Sequence, residues 1–217
     1  REVCAPFAAD YRAGRTPLPC ARCNPAVKFP ALFALAGRIG ARYVSTGHYA
    51  RVENGVLKKG MPANDQSYML ARLTREQLQK VIFPLGDYEK NQVRALARGF
   101  GIPVADKPDS MEICFIPDGD YAAWLERRGF STPEGNFVDK EGKVLGRHRG
   151  IHCSTLGQGR GLGVSGPHRY YVTALRPDTN EVVLSDGSDL GRDEVRGTEP
   201  NWLAVDSLTG PMEVTVR

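Results

Sequence analysis

Hydrophobic periodicity changes character partway along the chain, and this change constrains the fold more than any other feature. Apolar residues recur at three- and four-residue spacing over residues 25–39 and 90–100, with a short β-type run at 42–46 between them. This alternation predicts a layered α/β domain over residues 1–117. From 118 to 196 the chain is rich in glycine and in short β-type runs, which predict a smaller β-rich domain. Residues 197–217 contain two further β-type runs, at 202–205 and 212–216.

Local signals predict several individual elements. Asn54-Gly55 predicts a hairpin over residues 51–59. Thr74 and Gln77 have the spacing of a capping box, which predicts a helix to about residue 82. A further helix is expected over residues 121–128. Two pairs of β-type runs follow it, at 136–138 with 144–145 and at 169–175 with 181–185.

The composition is that of a globular protein without a membrane-spanning segment. Of the 217 residues, 41% are hydrophobic and 25% charged, and no apolar run approaches the ~20 residues that cross a bilayer. We expect no membrane partner. Five cysteines in a chain of this size predict reduced thiols and a cytoplasmic protein.

The net charge of +4 permits a nucleic-acid partner without requiring one. Four arginines fall within 23 residues, among several glycines: Arg147, Arg149, Arg160 and Arg169. They form either a solvated loop region or a phosphate-contacting surface, for which guanidinium groups are well suited.

Cys20 and Cys23 form a C-x-x-C, and Cys114 lies 91 residues after Cys23. A C-x-x-C suits a redox pair, half of a metal site or a nucleophile with a helper thiol. No second C-x-x-C accompanies it, which weakens a structural zinc site. Because the predicted helix begins at residue 25, we expect its N-terminus to favour a thiolate at Cys23. Cys4 and Cys153 are interpreted as structural.

Several segments resemble those of the tRNA-specific 2-thiouridylases, in the same order along nearly the whole chain. The segments are residues 14–29 around the C-x-x-C, Thr46-Gly-His-Tyr-Ala-Arg51, Asn64-Asp-Gln-Ser-Tyr68, Phe83-Pro-Leu-Gly-Asp87, Asp109-Ser-Met-Glu-Ile-Cys-Phe-Ile116 and Thr155-Leu-Gly-Gln-Gly-Arg-Gly-Leu-Gly163. The resemblance implies part of a Rossmann-like PP-loop domain, a central β-rich tRNA-binding domain and the start of a C-terminal β-barrel at residues 197–217.

The resemblance also implies residue roles. Cys23 matches the nucleophile and Cys114 the cysteine that carries sulfur as a persulfide, and the two would form a redox disulfide. Gly47 matches an ATP-binding position. The remaining matches are positions that contact the target base or the tRNA: Leu18, Pro19, Cys20, His48, Asn64, Asp65 and Gln66.

The implied activity is ATP-dependent 2-thiolation of the wobble uridine of tRNA. The expected co-substrate is ATP with Mg²⁺, and the expected partners are the tRNA anticodon arm and a persulfide-donating relay protein or cysteine desulfurase. We expect a monomer.

Two departures from the family pattern leave alternatives open. Position 20 is often aspartate in the family, so Cys20, Cys23 and Cys114 together could hold a [4Fe–4S] cluster. The chain also contains neither the family's Ser-Gly-Gly-x-Asp-Ser loop nor a Walker A motif. We therefore expect a fragment that binds ATP poorly by itself. Two alternatives to the thiolation activity stay open: an inactive RNA-binding module, and a thiol-redox or metal-storage protein that uses Cys20 and Cys23.

Overall fold

The computed structural model describes residues 1–107 and 113–215. They form two compact units. Of the described residues, the first unit, called the β-sheet unit, contains 3–17 and 113–197, and the second, called the α/β unit, contains 18–107 and 198–215. In chain order the elements are helices α1 (Cys4–Arg12), α2 (Pro19–Cys23) and α3 (Phe29–Arg38), strands β1 (Val44–Ser45), β2 (Ala50–Glu53) and β3 (Val56–Lys59), helix α4 (Arg75–Leu78), strand β4 (Val81–Ile82), helices α5 (Lys90–Gly99) and α6 (Tyr121–Arg127), and strands β5 (Gly135–Val138), β6 (Val144–His148), β7 (Tyr171–Arg176) and β8 (Glu181–Ser185).

In the α/β unit, helical structure begins six residues earlier than predicted. Helix α2 continues through a π-helical turn, Asn24–Lys28, directly into α3. At the end of the turn the Phe29 amide donates to the Asn24 carbonyl, five residues back. Pro25 has no amide hydrogen for the α-helical ladder, which favours a wider turn here. The prediction that Cys23 precedes the helix is therefore wrong, because Cys23 lies inside it.

Strands β1 and β4 pair in parallel, as in a Rossmann-like sheet. The predicted hairpin is confirmed as β2 and β3, with Asn54 and Gly55 both at positive φ. The predicted capping box at Thr74 is also confirmed. Its helix ends at Leu78 rather than near residue 82, because Val81–Ile82 pairs with β1 instead.

The core of the α/β unit supports the loops that surround β1. Glycine is required at position 86, where the chain passes close to the start of β2, because a Cβ there would lie 2.1 Å from the Ala50 carbonyl oxygen. Helix α5 confirms the helix predicted from residue 90, although Phe100 at its end is 78% exposed. The buried core residues are Phe29, Ala36, Val44, Ala50, Leu70, Leu73, Leu78, Val81 and Phe83.

The β-sheet unit contains a four-stranded sheet in the order β6-β5-β8-β7. Strands β5 and β8 are parallel and the other neighbours antiparallel. Its strands and helix α6 confirm the elements predicted over residues 121–185. Helix α1 was not predicted; its Phe7 packs edge-to-face on Trp124 of α6, with ring centroids 5.7 Å apart.

The strand predicted at residues 202–205 is wrong, and so is the strand predicted at 212–216 over its described part, 212–215. A strand needs a partner for its backbone groups. In residues 202–205 the Arg75 side chain is the partner instead: its Nε donates to the Trp202 carbonyl at 3.2 Å and its Nη2 donates to the Val205 carbonyl. Within residues 1–107 and 113–215, no helix has the length and apolarity needed to cross a membrane.

Candidate functional site

The C-x-x-C lies on the first two turns of the cysteine helix, the continuous helical segment formed by α2, the π-helical turn and α3 in the α/β unit. Leu18 is the N-cap residue and Pro19 the first helical residue, where the missing amide hydrogen costs nothing. Cys20 follows in the first turn, so the positive end of the helix dipole acts on Cys20 rather than on Cys23. Cys23 lies three residues later on the same face of the helix, and both side chains are half-buried.

Asn24 anchors the cysteine helix to the loop region that follows β3. Its side chain is 1% exposed, and its amide nitrogen donates to the Met69 carbonyl at 2.9 Å. Met69 belongs to a 3₁₀ helix, Ser67–Leu70, that directly follows Asn64–Gln66. The structure thus brings the cysteine helix and this loop together. Asn24 was not among the predicted site residues, although it directly follows the C-x-x-C.

His48 is held as a neutral imidazole beside the same helix. Its ring stacks on Phe29 and meets Phe83 edge-on, with centroids 6.2 and 6.0 Å away. Thr46 Oγ1 lies 2.7 Å from Nδ1. Burial, helped by the positive charge of Lys28, lowers the pKa of His48 to about 4. At neutral pH His48 therefore offers a hydrogen bond and an aromatic face, not a positive charge.

Gly47 follows β1, at the carboxyl end of the parallel strand pair. Nucleotides bind at this edge in Rossmann-like sheets. A Cβ on Gly47 would make only an ordinary 3.6 Å contact with Leu85, so packing within the described residues does not require glycine. The role of Gly47 in ATP binding stays a prediction.

Gln66 joins the Asn64–Gln66 loop to the segment around His48. The Tyr49 amide donates to Gln66 Oε1 at 3.1 Å, and the Gln66 amide donates to the Tyr49 carbonyl at 2.8 Å. In the side-chain amide orientation that satisfies both of its polar atoms, the Asn64 oxygen accepts from the Lys90 amide at 3.1 Å, at the start of α5. The loop is therefore fixed on both sides.

Asp65 is the buried member of this loop, with 4% exposure. Oδ1 accepts from the amides of Gly60 and Ser67 at 2.9 and 3.0 Å, and Oδ2 accepts from the Ser67 hydroxyl at 3.0 Å. These bonds give the carboxylate a role in shaping the loop. A direct contact between Asp65 and tRNA stays a prediction.

Cys114 lies in the β-sheet unit, and its side chain is exposed. The neighbouring Phe115 packs edge-to-face on Phe7 at 5.3 Å, and Ile116 is 1% exposed. These anchors hold the segment while leaving the thiol accessible. The first four residues of the Asp109–Ile116 motif, 109–112, lie outside the described residues. All five cysteines of the chain are thiols, and the Cys23–Cys114 disulfide stays a prediction.

The four clustered arginines are all exposed on the β-sheet unit. Arg169 lies over the Tyr171 ring at 5.3 Å, and its Nε donates to the Gly159 carbonyl at 3.2 Å. Arg147 makes a 3.5 Å contact with Glu134. Exposed guanidinium groups held in this way are suited to phosphate.

Comparisons with known proteins cover nearly the whole chain. The family model described as "tRNA methyl transferase HUP domain" matches residues 1–118, and "tRNA methyl transferase PRC-barrel domain" matches residues 123–186. The chain is 52% identical over 204 residues to the tRNA-specific 2-thiouridylase MnmA of Thermobifida fusca, covering 93% of this chain. It is 44% identical to the proteins of the same name from Lachnoclostridium phytofermentans and Koribacter versatilis, over 97% and 100% of this chain. It spans 56–62% of the length of these relatives.

Proposed function

The chain belongs to the family of tRNA-specific 2-thiouridylases, and we propose that it is the part of a tRNA-uridine 2-sulfurtransferase that carries both reactive cysteines and a tRNA-binding surface. The observation that carries the proposal is the 52% identity over 93% of the chain. The Rossmann-like α/β unit, in which the cysteine helix lies beside the His48 and Gln66 segments, is consistent with it.

In the proposed reaction, the 2-carbonyl oxygen of the wobble uridine attacks the α-phosphate of ATP, supplied with Mg²⁺, and pyrophosphate departs, so that the oxygen becomes part of an adenylate, a good leaving group. The terminal sulfur of a persulfide on Cys114 attacks C2, and AMP departs with the electron pair of the C2–O bond. The Cys23 thiolate then attacks the Cys114 sulfur. The S–S bond to the transferred sulfur breaks, its electron pair stays on the sulfur at C2, and Cys23 and Cys114 are left as a disulfide.

A second order of events uses the same two residues. Cys23 attacks Cys114 first and releases hydrosulfide, which then attacks C2. Both routes end in the same disulfide, so a thiol reductant must return both thiols before the next cycle. The exposed position of Cys114 supports reloading by a persulfide-donating relay protein or cysteine desulfurase. Such exchange chemistry suits the cytoplasm, where thiols stay reduced.

The α/β unit supports separate roles in recognition. Leu18, Pro19 and Cys20 lie at the start of the cysteine helix, where the exposed Leu18 side chain leaves room for a target base to approach. We propose that neutral His48 contacts tRNA by hydrogen bonding or stacking rather than by charge. Asn64 and Gln66 are proposed to contact the tRNA from the loop that Asp65 shapes.

The test is thiolation by the longer protein that includes the adenylating segment. Cys114→Ala and Cys23→Ala should each abolish 2-thiouridine, measured by mass spectrometry of digested tRNA. Cys4→Ala is the matched control, because Cys4 is a half-buried cysteine of the same unit as Cys114. Normal thiolation by Cys114→Ala would refute the assignment.

A second candidate function is RNA binding without catalysis by the 217-residue chain. The exposed arginines of the β-sheet unit favour it. An anticodon stem-loop should then bind to the chain, with affinity that falls steeply as salt rises, while no thiolation occurs until the adenylating segment is supplied.

An iron–sulfur-dependent variant of the reaction is a further alternative. Cys20 and Cys23 lie one helical turn apart and can both face one cluster, with Cys114 as the third ligand. Iron and sulfide analysis after anaerobic purification tests it. Metal-free protein with full thiolation activity would remove this alternative.

A further inference from the structure

Three side chains that the proposed thiolation does not use converge in the β-sheet unit. Glu126 comes from the last turn of α6, and His152 and Cys153 come from the 3₁₀ turn Ile151–Cys153. His152 Nε2 lies 3.4 Å from Glu126 Oε1 and 3.4 Å from Cys153 Sγ, and Sγ lies 3.9 Å from the same Oε1. Among residues 1–107 and 113–215, this is the one group of three metal-ligand side chains found this close together.

The three separations match the coordination shell of a tetrahedral metal ion. Bond lengths of about 2.3 Å to sulfur, 2.0–2.1 Å to imidazole nitrogen and 2.0 Å to carboxylate oxygen place donor atoms about 3.3–3.6 Å apart around Zn²⁺. The separations of 3.4, 3.4 and 3.9 Å require only a few tenths of an ångström of adjustment. Glu126 is 37% exposed and can supply that movement.

The His152 side chain is fully buried, and its neighbours fix the position of the ring. A Cβ at Gly150 would lie 2.4 Å from its ring, so only glycine leaves room for it. Thr132 Oγ1 lies 2.8 Å from Nδ1, on the side of the ring away from the other two donor atoms.

The contacts with Thr132 also determine which nitrogen of the His152 ring carries the proton. In the structure the Thr132 amide donates to Nδ1 at 3.1 Å, which leaves the proton of the neutral ring on Nε2, facing Glu126. When Nε2 binds a cation, the ring proton must be on Nδ1. The Thr132 hydroxyl can then accept a hydrogen bond from Nδ1–H while the Thr132 amide gives up its bond to Nδ1, and such a hydrogen bond is the usual outer-shell arrangement of a metal-bound histidine.

We propose that Glu126, His152 and Cys153 form a binding site for a thiophilic divalent cation, with Zn²⁺ as the best match. A thiolate, an imidazole and a carboxylate are the donors that Zn²⁺ takes, and their two negative charges neutralise the ion. Three protein ligands leave the fourth tetrahedral position for water or an external ligand. The ion would join helix α6 to the 3₁₀ turn, and this role does not depend on the thiolation activity.

Co²⁺ and Zn²⁺ binding to the 217-residue chain tests the site. The variant Cys20→Ser/Cys23→Ser/Cys114→Ser removes the two thiols proposed for sulfur transfer and the neighbouring Cys20 thiol, and it is the starting protein. It should bind one Co²⁺ with thiolate-to-metal charge-transfer absorption, and Zn²⁺ should displace it. Adding Cys153→Ser should remove that absorption, and adding Glu126→Gln should weaken Zn²⁺ binding by at least about 10-fold, the loss typical even for outer-shell changes.

Adding Cys4→Ser instead is the matched control and should leave both metals bound, because Cys4 is a half-buried thiol of the same unit outside the group. Unchanged thermal unfolding of metal-free Glu126→Gln shows that its loss of affinity is not a loss of fold. The proposal is overturned if the starting protein binds no Co²⁺, or if Cys153→Ser and Glu126→Gln bind as tightly as their parent.

Discussion

The side-chain amide of Asn24 donates a 2.9 Å hydrogen bond to the carbonyl of Met69, 45 residues further along the chain. This bond fixes the residue after Cys23 to the 3₁₀ helix that follows Gln66. Asn24 Oδ1 is also buried, with no partner among the described residues. A buried acceptor without a partner lowers the free energy of unfolding. The asparagine at position 24 therefore supplies the bond to Met69 but also carries a destabilising oxygen.

Asn24→Ala should therefore destabilise the chain, because the Met69 carbonyl loses its donor, but by less than the cost of about 1–3 kcal/mol for leaving a buried polar group unpaired, because the unpaired Oδ1 is removed as well. In the longer protein it should also slow thiolation, since the cysteine helix loses its anchor to the tRNA loop. Urea unfolding and single-turnover thiolation measure the two effects. Asn91→Ala, an exposed site in α5, is the control; equal stability of the two variants would contradict the anchoring role.

His48 should make stability depend on pH. Its pKa is about 4 in the folded chain and near 6.5 when unfolded, so the unfolded state binds more protons between these values. The free energy of unfolding should therefore be unaffected by His48 above pH 6.5 and should decrease as the pH falls towards 4. The total decrease is about 3 kcal/mol, at about 1.4 kcal/mol per pKa unit. Urea unfolding at several pH values should show a smaller loss for His48→Gln. His168→Gln, at an exposed histidine, should retain the full dependence.

Arg169 should act through phosphate contacts. Its guanidinium is held over Tyr171 and by the Gly159 carbonyl, so little freedom is lost on binding. Arg169→Ala should weaken anticodon stem-loop binding for all sequences alike and should reduce the slope of log affinity against log salt by about 1. Arg192→Ala, at another exposed arginine of the same unit, is the control. An unchanged salt slope for Arg169→Ala would place the RNA elsewhere.

Thr132 should support metal binding through His152. Thr132→Val keeps the side-chain shape but removes the hydroxyl that would accept a hydrogen bond from Nδ1–H when Nε2 binds the ion, so Zn²⁺ affinity should fall by about 10–100-fold. Competition with a chromogenic chelator measures this. Thr179→Val removes a hydroxyl elsewhere in the unit, one that bonds Glu181, and should leave the affinity unchanged.

The sequence predictions were correct where neighbouring residues determine the structure and wrong where residues distant in sequence determine it. The Asn54-Gly55 hairpin and the Thr74 capping box were predicted because neighbouring residues satisfy both. The start of the cysteine helix was misplaced, because Pro25 suggested a helix beginning where the structure has a π-helical turn. Helix α1 was missed because what stabilises it, the packing of Phe7 on Trp124, joins residues far apart in sequence.

The amino-acid sequence by itself determined the alternation of helices and strands and the reactive groups available, above all the thiols of Cys23 and Cys114. These depend on residue type and local spacing. Only the tertiary structure decided that Asp65 is buried, that His48 is neutral and that Glu126 lies beside His152. Burial, pKa and ligand geometry are set by residues that meet only when the chain folds, so no local pattern predicts them.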